Sequence, residues 1–513
     1  MNKIAGCVVS IFLFISIAGA AVISSPSDLL KLFEYTFGGF VEEDITLLTD
    51  LDFSETKLDF PLGYSWETKV CTVYKGILDG KKHTIKGLKV GSELNPLSMG
   101  GLFCGLDGAT IKDLTIDSQS LFQGEDAGAL SLKVTGGGAS IQNVEIQAKV
   151  KGTKRVGGFI GYIENAQTRV SFDSCSFKGT LENGENVGGF IGYVKSIFLF
   201  KLDFWFCSFH GSYSLLTDNV GGLIGCVDSS SDISIGIRST TTWGSMFGSD
   251  NLGGFIGSVQ NNDKVSITIA SSDNHGSVMS QFGTNHGGLI GSLKGNTVSK
   301  VDIQESYNKG NINGKSYVAG FIGYVDEAGS MSSLSVKNSI NTGTIEGASS
   351  VSCGFFCTDV SAVIKMEINV HNSVNHGNVA AEYAYGVSNV VPVTSNVVNL
   401  GSVNGKLESY SLWKAPSVDQ FCYALSSTCK NCGMAVHFFK EDDGTYYVSG
   451  TKMRVDDMLN WMVSLNQNWK QLKFWTKSLD YFIPKHQSVS LAPKHGLSAL
   501  VVFFVLCASL LAH

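Results

Sequence analysis

The sequence predicts an all-β chain. The expected body is a parallel β-helix, or solenoid, of repeats of about 32 residues, with an N-terminal helical cap and a small C-terminal α+β module. Three observations predict it. The motif V-G-G-F-I-G-Y-V recurs along most of the chain. Between its copies run segments that alternate apolar and polar residues with period two, the mark of strands with one buried face. Gly is abundant at 59 residues and Pro scarce at 7, without the three-residue period of collagen.

The motif copies begin at Val156, Val187, Val220, Leu252, His286 and Val318, with weaker forms near Gly100, Gly128, Cys353 and Tyr385. The second Gly falls at 158, 189, 222, 254, 288, 320, 354 and 386, a step of 31 to 34 residues. The alternating runs each end at a turn Gly, as in Val170–Gly179, Val301–Gly310, Leu334–Gly343 and Ile368–Gly377. The Gly residues are read as corners that need positive φ or close backbone approach. A unit this short cannot bury its own face, so the units must stack, with neighbouring coils about 4.8 Å apart. Asn274, Asn308, Asn341, Asn375 and Asn399 each stand two residues before the turn Gly. They are read as a ladder of stacked, hydrogen-bonded amides rather than a ligand site. A β-propeller is the rival architecture, but its blades need four strands and more residues each.

Gly-Gly-Phe-Ile-Gly with a downstream Asn-x-Gly turn resembles the GLUG repeat of bacterial and protist surface proteins. Tyr74–Leu88 looks like the opening coil of such an array, and Gly101–Leu106 and Ala109–Ile116 continue it. The resemblance covers roughly residues 45 to 405. It implies an adhesin-like or protease-associated surface protein and carries no catalytic residue to transfer.

The two ends bound the location. Lys3, an apolar run from Ile4 to Ile17 and the small residues Ala18–Ala21 read as a secretory signal peptide over residues 1–20, with an uncleaved anchor as the alternative. Leu497–Ala512 is an apolar tail with no Lys or Arg after it. Preceded by Ser488, Val489, Ser490 and a short spacer, it reads as a GPI-attachment signal over 488–513, with Ser488 as candidate attachment residue; a single membrane span is the alternative. Either way residues 21 to about 488 are expected on the extracellular face of the plasma membrane. They divide into an N-terminal cap (21–70), the solenoid (71–405) and the C-terminal module (406–487). The cap holds an amphipathic helix from Ser27 to Phe37, N-capped by Ser25 or Ser27. The module holds four of the seven Trp: Trp413, Trp461, Trp469 and Trp475. Val418–Leu425 and Val455–Leu465 read as helices, and His437–Val448 as a hairpin around Asp442, Asp443 and Gly444.

Composition narrows the function. At 43% hydrophobic the chain is not disordered, and a net charge of -7 argues against nucleic acid as a partner. No Asn-x-Ser/Thr sequon occurs, so the chain is not N-glycosylated. Of twelve Cys, Cys7 and Cys507 lie in the end segments, leaving ten in an oxidising compartment. Candidate disulfide cysteines are Cys175, Cys207, Cys353, Cys357, Cys422, Cys429 and Cys432. Cys175 and Cys207 hold matching repeat positions, either bonded or as buried thiols. Cys353 and Cys357 flank one Gly corner without an evident partner. Cys422, Cys429 and Cys432 could hold a metal with His437 but read better as disulfides. A β-helix hydrolase needs carboxylates converging on one groove, and Asp173, Asp203 and Asp302 do not share a repeat position on this reading. His210, His275 and His376 each precede a turn Gly, where exposure is the plain explanation. No catalytic residue, cofactor or metal is expected. The expected function is a non-enzymatic cell-surface protein whose partner is a surface protein or glycan. A structural coat or spacer is the alternative, and a carbohydrate-active β-helix enzyme comes third.

Overall fold

The computed structural model describes residues 20–410, apart from 35–38, 93–98, 215–216, 230, 262–264, 296–297, 327–332, 359–366, 390–392, 396 and 400–401. Beyond 410 it describes only the strands Cys422–Ala424, Phe438–Lys440, Tyr446–Val448 and Thr451–Met453. The chain forms two units, residues 1–434 and 435–513.

The first unit is a parallel β-solenoid of about 10 turns, and among the described residues its one α-helix is Pro26–Phe33. Each full coil contributes three strands to one long sheet and two to another. These are, for example, Ile191–Lys195, Phe200–Trp205 and Ser208–Phe209, then Ser212–Ser214 and Val220–Gly221. The two sheets hold 32 and 19 strands among the described residues. Register is set by identity: Ile160 pairs with Ile191, then Ile224, Ile256, Ile290 and Ile322, each above the last. One continuous core runs inside from Ile23 to Val403.

Close approach, not positive φ, is what the paired glycines serve. A Cβ on Gly158 would lie 2.1 Å from the Gly189 carbonyl oxygen and 2.4 Å from the Phe177 ring. The left-handed corner falls elsewhere, on a column of non-glycine residues. Ser174, Phe206, Ser239, Ser271, Glu305, Asn338 and Asn372 have φ between 47 and 55°. Their N–H groups keep donating to the next coil, as Ser174 does to the Trp205 carbonyl at 2.9 Å, so the ladder survives the bend.

The Asn ladder forms as read. Asn274 Nδ2 donates to Asn308 Oδ1 at 2.8 Å, and the chain continues through Asn341, Asn375 and Asn399 at 2.7 Å per step. The same column is filled by Phe177 and Phe209 in earlier coils.

The parallel ladder already runs through the N-terminal segment, where Ala21–Ile23 pairs with Ile45–Leu47 and that strand with the coil at Leu78. The cap helix, α1, spans Pro26–Phe33. Ser25 is its N-cap and accepts from the Asp28 N–H at 3.3 Å, with Pro26 in the first turn, where a missing N–H costs nothing. Phe33 closes the mouth of the core against Tyr74 and Phe103. A hairpin of Tyr64–Ser65 and Val70–Cys71 interrupts the first coils and is tied to the solenoid by a Cys71–Cys104 disulfide.

Where the sequence suggested a helix over Val418–Leu425, the chain forms the strand Cys422–Ala424, paired in parallel with Val397–Asn399. An open coil edge offers backbone hydrogen bonds that an isolated helical turn lacks. The second unit contains the expected hairpin, Phe438–Lys440 against Tyr446–Val448, extended by Thr451–Met453 into a three-stranded antiparallel sheet. Val455–Leu465 and the four Trp of this region lie outside the described residues.

Candidate functional site

The residue just before each turn Gly points outward, and in-register stacking turns these residues into an axial row: Lys178, His210, Trp243, His275, Lys309, Thr342 and His376. Trp243 is held between two imidazoles, with centroids 6.0 Å from His210 and 3.8 Å from His275, both stacked. Two residues toward the N-terminus lies a second outward column of Glu145, Ser176, Ser208, Thr241, Asp273 and Tyr307, and two of these are acids. Glu145 accepts from Lys178 at 2.7 Å, and Asp273 from Lys309 at 3.0 Å. Burial and the Lys178 charge hold His210 below the ordinary histidine range, against a pull upward from Glu145. Burial and Lys309 do the same for His275, against Asp273. On the far side of the turn Gly, every coil from Thr180 to Asn378 places Thr, Ser or Asn.

Exposed aromatic side chains flank the short strands that lead to this row, with Trp205 and Phe206 before Ser208–Phe209 and Trp243 after Thr241–Thr242. Phe206 is 62% exposed, Trp243 50% and Trp205 37%. Phe206 also occupies the left-handed corner, where a bulky residue costs about 1–2 kcal/mol. A large apolar side chain that is both strained and exposed contributes little to folding. Arg238 of the next coil lies over the Trp205 ring at 5.1 Å and also reaches Asp203, which Arg169 contacts from the coil before.

The carboxylates require a correction. Asp203 and Asp302 do share a repeat position, since pairing runs from Asp203 through Gly236 and Thr268 to Asp302. They are three coils apart, about 14 Å at the parallel-strand spacing. Asp173 stacks on Trp205 instead. The equivalence is hidden in the sequence because the steps from Asp203 through Gly236 and Thr268 to Asp302 differ in length by one or two residues. Among the described residues no three His, Cys, Asp or Glu side chains gather at metal-binding distances.

The cysteines divide. Cys175 and Cys207 stack in one inward column as buried thiols, each donating to backbone carbonyls. Burial and the neighbouring Cys207 push the Cys175 thiol well above its usual range. Cys353 and Cys357 are bonded to each other across their Gly corner. The Cys71–Cys104 bond was not foreseen, because Cys71 sits on the hairpin outside the repeat. Cys226 is a third buried thiol. Cys422 lies in a strand whose side chains are not described, and Cys429, Cys432 and Ser488 lie outside the described residues. No described helix is long and apolar enough to cross a membrane.

No family model matches the chain, and no curated protein matches it. Among solved structures it is similar to a "putative immunoglobulin A1 protease" from Bacteroides ovatus. The match has 12% identity and a TM-score of 0.34, and covers 85% of this chain and 94% of that one.

Proposed function

We propose that this chain is a non-enzymatic, GLUG-like surface protein whose solenoid presents an adhesive edge to a surface protein or glycan. In this reading residues 21 to about 488 stand outside the cell, held by a GPI anchor at or near Ser488. The observation that carries it is the exposure of Trp205, Phe206 and Trp243 on two adjacent coils. Aromatic side chains left in water at a strained corner are interaction surface rather than core.

The test displays the full chain on cells and releases it with a phosphatidylinositol-specific phospholipase. Binding of the released protein to host cells and matrix is then compared with that of a variant carrying Trp205→Ala, Phe206→Ala and Trp243→Ala. Loss of binding in the variant, with the far-ultraviolet circular dichroism unchanged, is expected. Equal binding by both would leave the coat or spacer reading in its place. Retention on the cell after phospholipase treatment would replace the lipid anchor with a membrane span.

A further inference from the structure

The row from Lys178 to His376 runs through seven successive coils without a carboxylate. At the parallel-strand spacing it measures about 29 Å along the axis. The row beside it, from Thr180 to Asn378, is all hydroxyl or amide over the same coils. A groove for a globular partner would need relief that a one-residue-wide rail does not have. The rail instead matches a ligand that is itself linear, anionic at intervals and rich in hydroxyls.

We infer that this edge binds a linear anionic polysaccharide lying along the solenoid axis, its sulfate or carboxylate groups on the Lys178–His376 row and its hydroxyls on the Thr180–Asn378 row. The inference rests on the adhesive reading above and names its ligand class. Lys178 and Lys309 carry the permanent charge. The Trp243 indole, stacked on His275, offers an apolar edge midway between them for a sugar C–H face. Glu145 and Asp273 each face one of those lysines and temper the field without entering the row. A net charge of -7 opposes polyanions at long range, so the attraction is local and salt-sensitive. The same net charge disfavours DNA, whose phosphates have no use for the row of hydroxyls and amides.

Acid strengthens the rail. The charged groups facing His210 are Lys178 and Glu145, and those facing His275 are Lys309 and Asp273. Both imidazoles are neutral at pH 7 and gain charge on acidification, adding cations between the two lysines.

The test uses the full-length chain in detergent micelles and dextran sulfate as probe, with neutral dextran, duplex DNA and phosphatidylserine vesicles as comparators. Dextran sulfate is expected to bind, and neutral dextran not. Lys178→Glu with Lys309→Glu should weaken binding on the order of tenfold, and Lys300→Glu, on another face, by less than about twofold. Lowering the pH from about 7.5 to about 5 should tighten binding, and His210→Gln with His275→Gln should diminish that gain. Absence of dextran sulfate binding, indifference to the double reversal, or equal binding of DNA or vesicles would overturn the inference. The adhesive reading fails separately. If the aromatic triple variant loses cell binding but dextran sulfate neither binds nor competes, the edge is adhesive for another ligand and only the polysaccharide falls.

Discussion

The column two residues before the turn Gly is filled differently in the two halves of the solenoid. In the N-terminal coils it is apolar, with Leu51, Ile85, Ile116 and Ile146 followed by Phe177 and Phe209, whose rings stack with centroids 5.8 Å apart and planes within 1°. In the C-terminal coils it holds Asn274 to Asn399, equally buried. There each amide from Asn274 to Asn375 donates both to the next Asn and to the carbonyl two residues on in its own coil, as Asn308 does to Gly310 at 2.9 Å. The position therefore demands no particular polarity. It demands a side chain that complements its own copy one coil away. Rings do this through their faces and amides through donor and acceptor. The aromatic version fills volume, whereas the amide version also fixes register, because a slip by one residue would leave every amide unpaired.

Removing volume from the aromatic half should have the largest effect. Glycines 189, 211 and 244 all approach the Phe209 ring so closely that a Cβ there would fall within 2.8 Å of it. That backbone is held by its own ladder and cannot collapse inward. Phe209→Ala is expected to cost about 4 kcal/mol, read as a lowered denaturation midpoint with loss of amide-exchange protection centred on the neighbouring coils.

Removing pairing from the amide half comes next. Asn308→Leu keeps the volume but strips the amide of its bonds to Asn274, Asn341 and Gly310. Asn274 still donates to its own Gly276 carbonyl, which limits the damage. A cost of about 3 kcal/mol is expected. If Asn308→Leu proved neutral while Phe209→Ala did not, the amide column would be volume alone and the distinction between the halves would disappear.

The period, the paired glycines and the Asn column were legible because they depend on spacing alone, and a column of identical residues advertises itself. The equivalence of Phe177 and Asn274 was not legible. It lies in what the side chains do to their own copies, and nothing in residue type links a ring to an amide. The left-handed corner was hidden for a similar reason: Ser174, Phe206 and Glu305 share a backbone conformation but no chemistry. The candidate edge was half visible. His210, His275 and His376 were placed before their turn glycines, but Lys178, Trp243 and Lys309 at the same position complete the row. Aligning every coil on its turn Gly, rather than following one residue type, would have found it.

Set against the paired amide column is an unpaired buried polar residue, His286. His286 stands in an aliphatic column between Leu252 and Val318, and neither ring nitrogen has a hydrogen-bond partner of good geometry. Burial lowers its pKa to about 4, against a smaller upward pull from the Gly283 backbone and Asp250. Its unfolded value is near 6.5, so below that pH the unfolded chain binds a proton the folded chain refuses. Stability is therefore whole above about pH 6.5 and is lost progressively as the pH falls toward 4. His286→Leu should abolish this loss, gaining about 2 kcal/mol over the native chain at about pH 5 and little at neutral pH. A gain of the same size at both pH values would assign the effect to packing instead.

The smallest effect lies at the junction of the two halves. Thr242 is the single residue between Phe209 and Asn274 in the column, and it has a face for each. Its hydroxyl donates to Asn274 Oδ1 at 2.8 Å, while its methyl carbon packs toward the Gly222 backbone, where Phe209 sits against Gly189 one coil earlier. Thr242→Val keeps the shape and deletes only the donor. Asn274 Oδ1 still accepts from the Gly276 N–H at 3.2 Å, so the oxygen is weakened rather than orphaned. The expected cost is about 1 kcal/mol, the net value of one hydrogen bond, measured by denaturation with Thr242→Ser as the partner variant. Thr242→Ser keeps the donor and loses the methyl, so the two variants separate the contributions of the two faces. If Thr242→Val costs nothing while Thr242→Ser is destabilising, the amide ladder needs no donor at its first rung, and the aromatic stack alone sets where one filling gives way to the other.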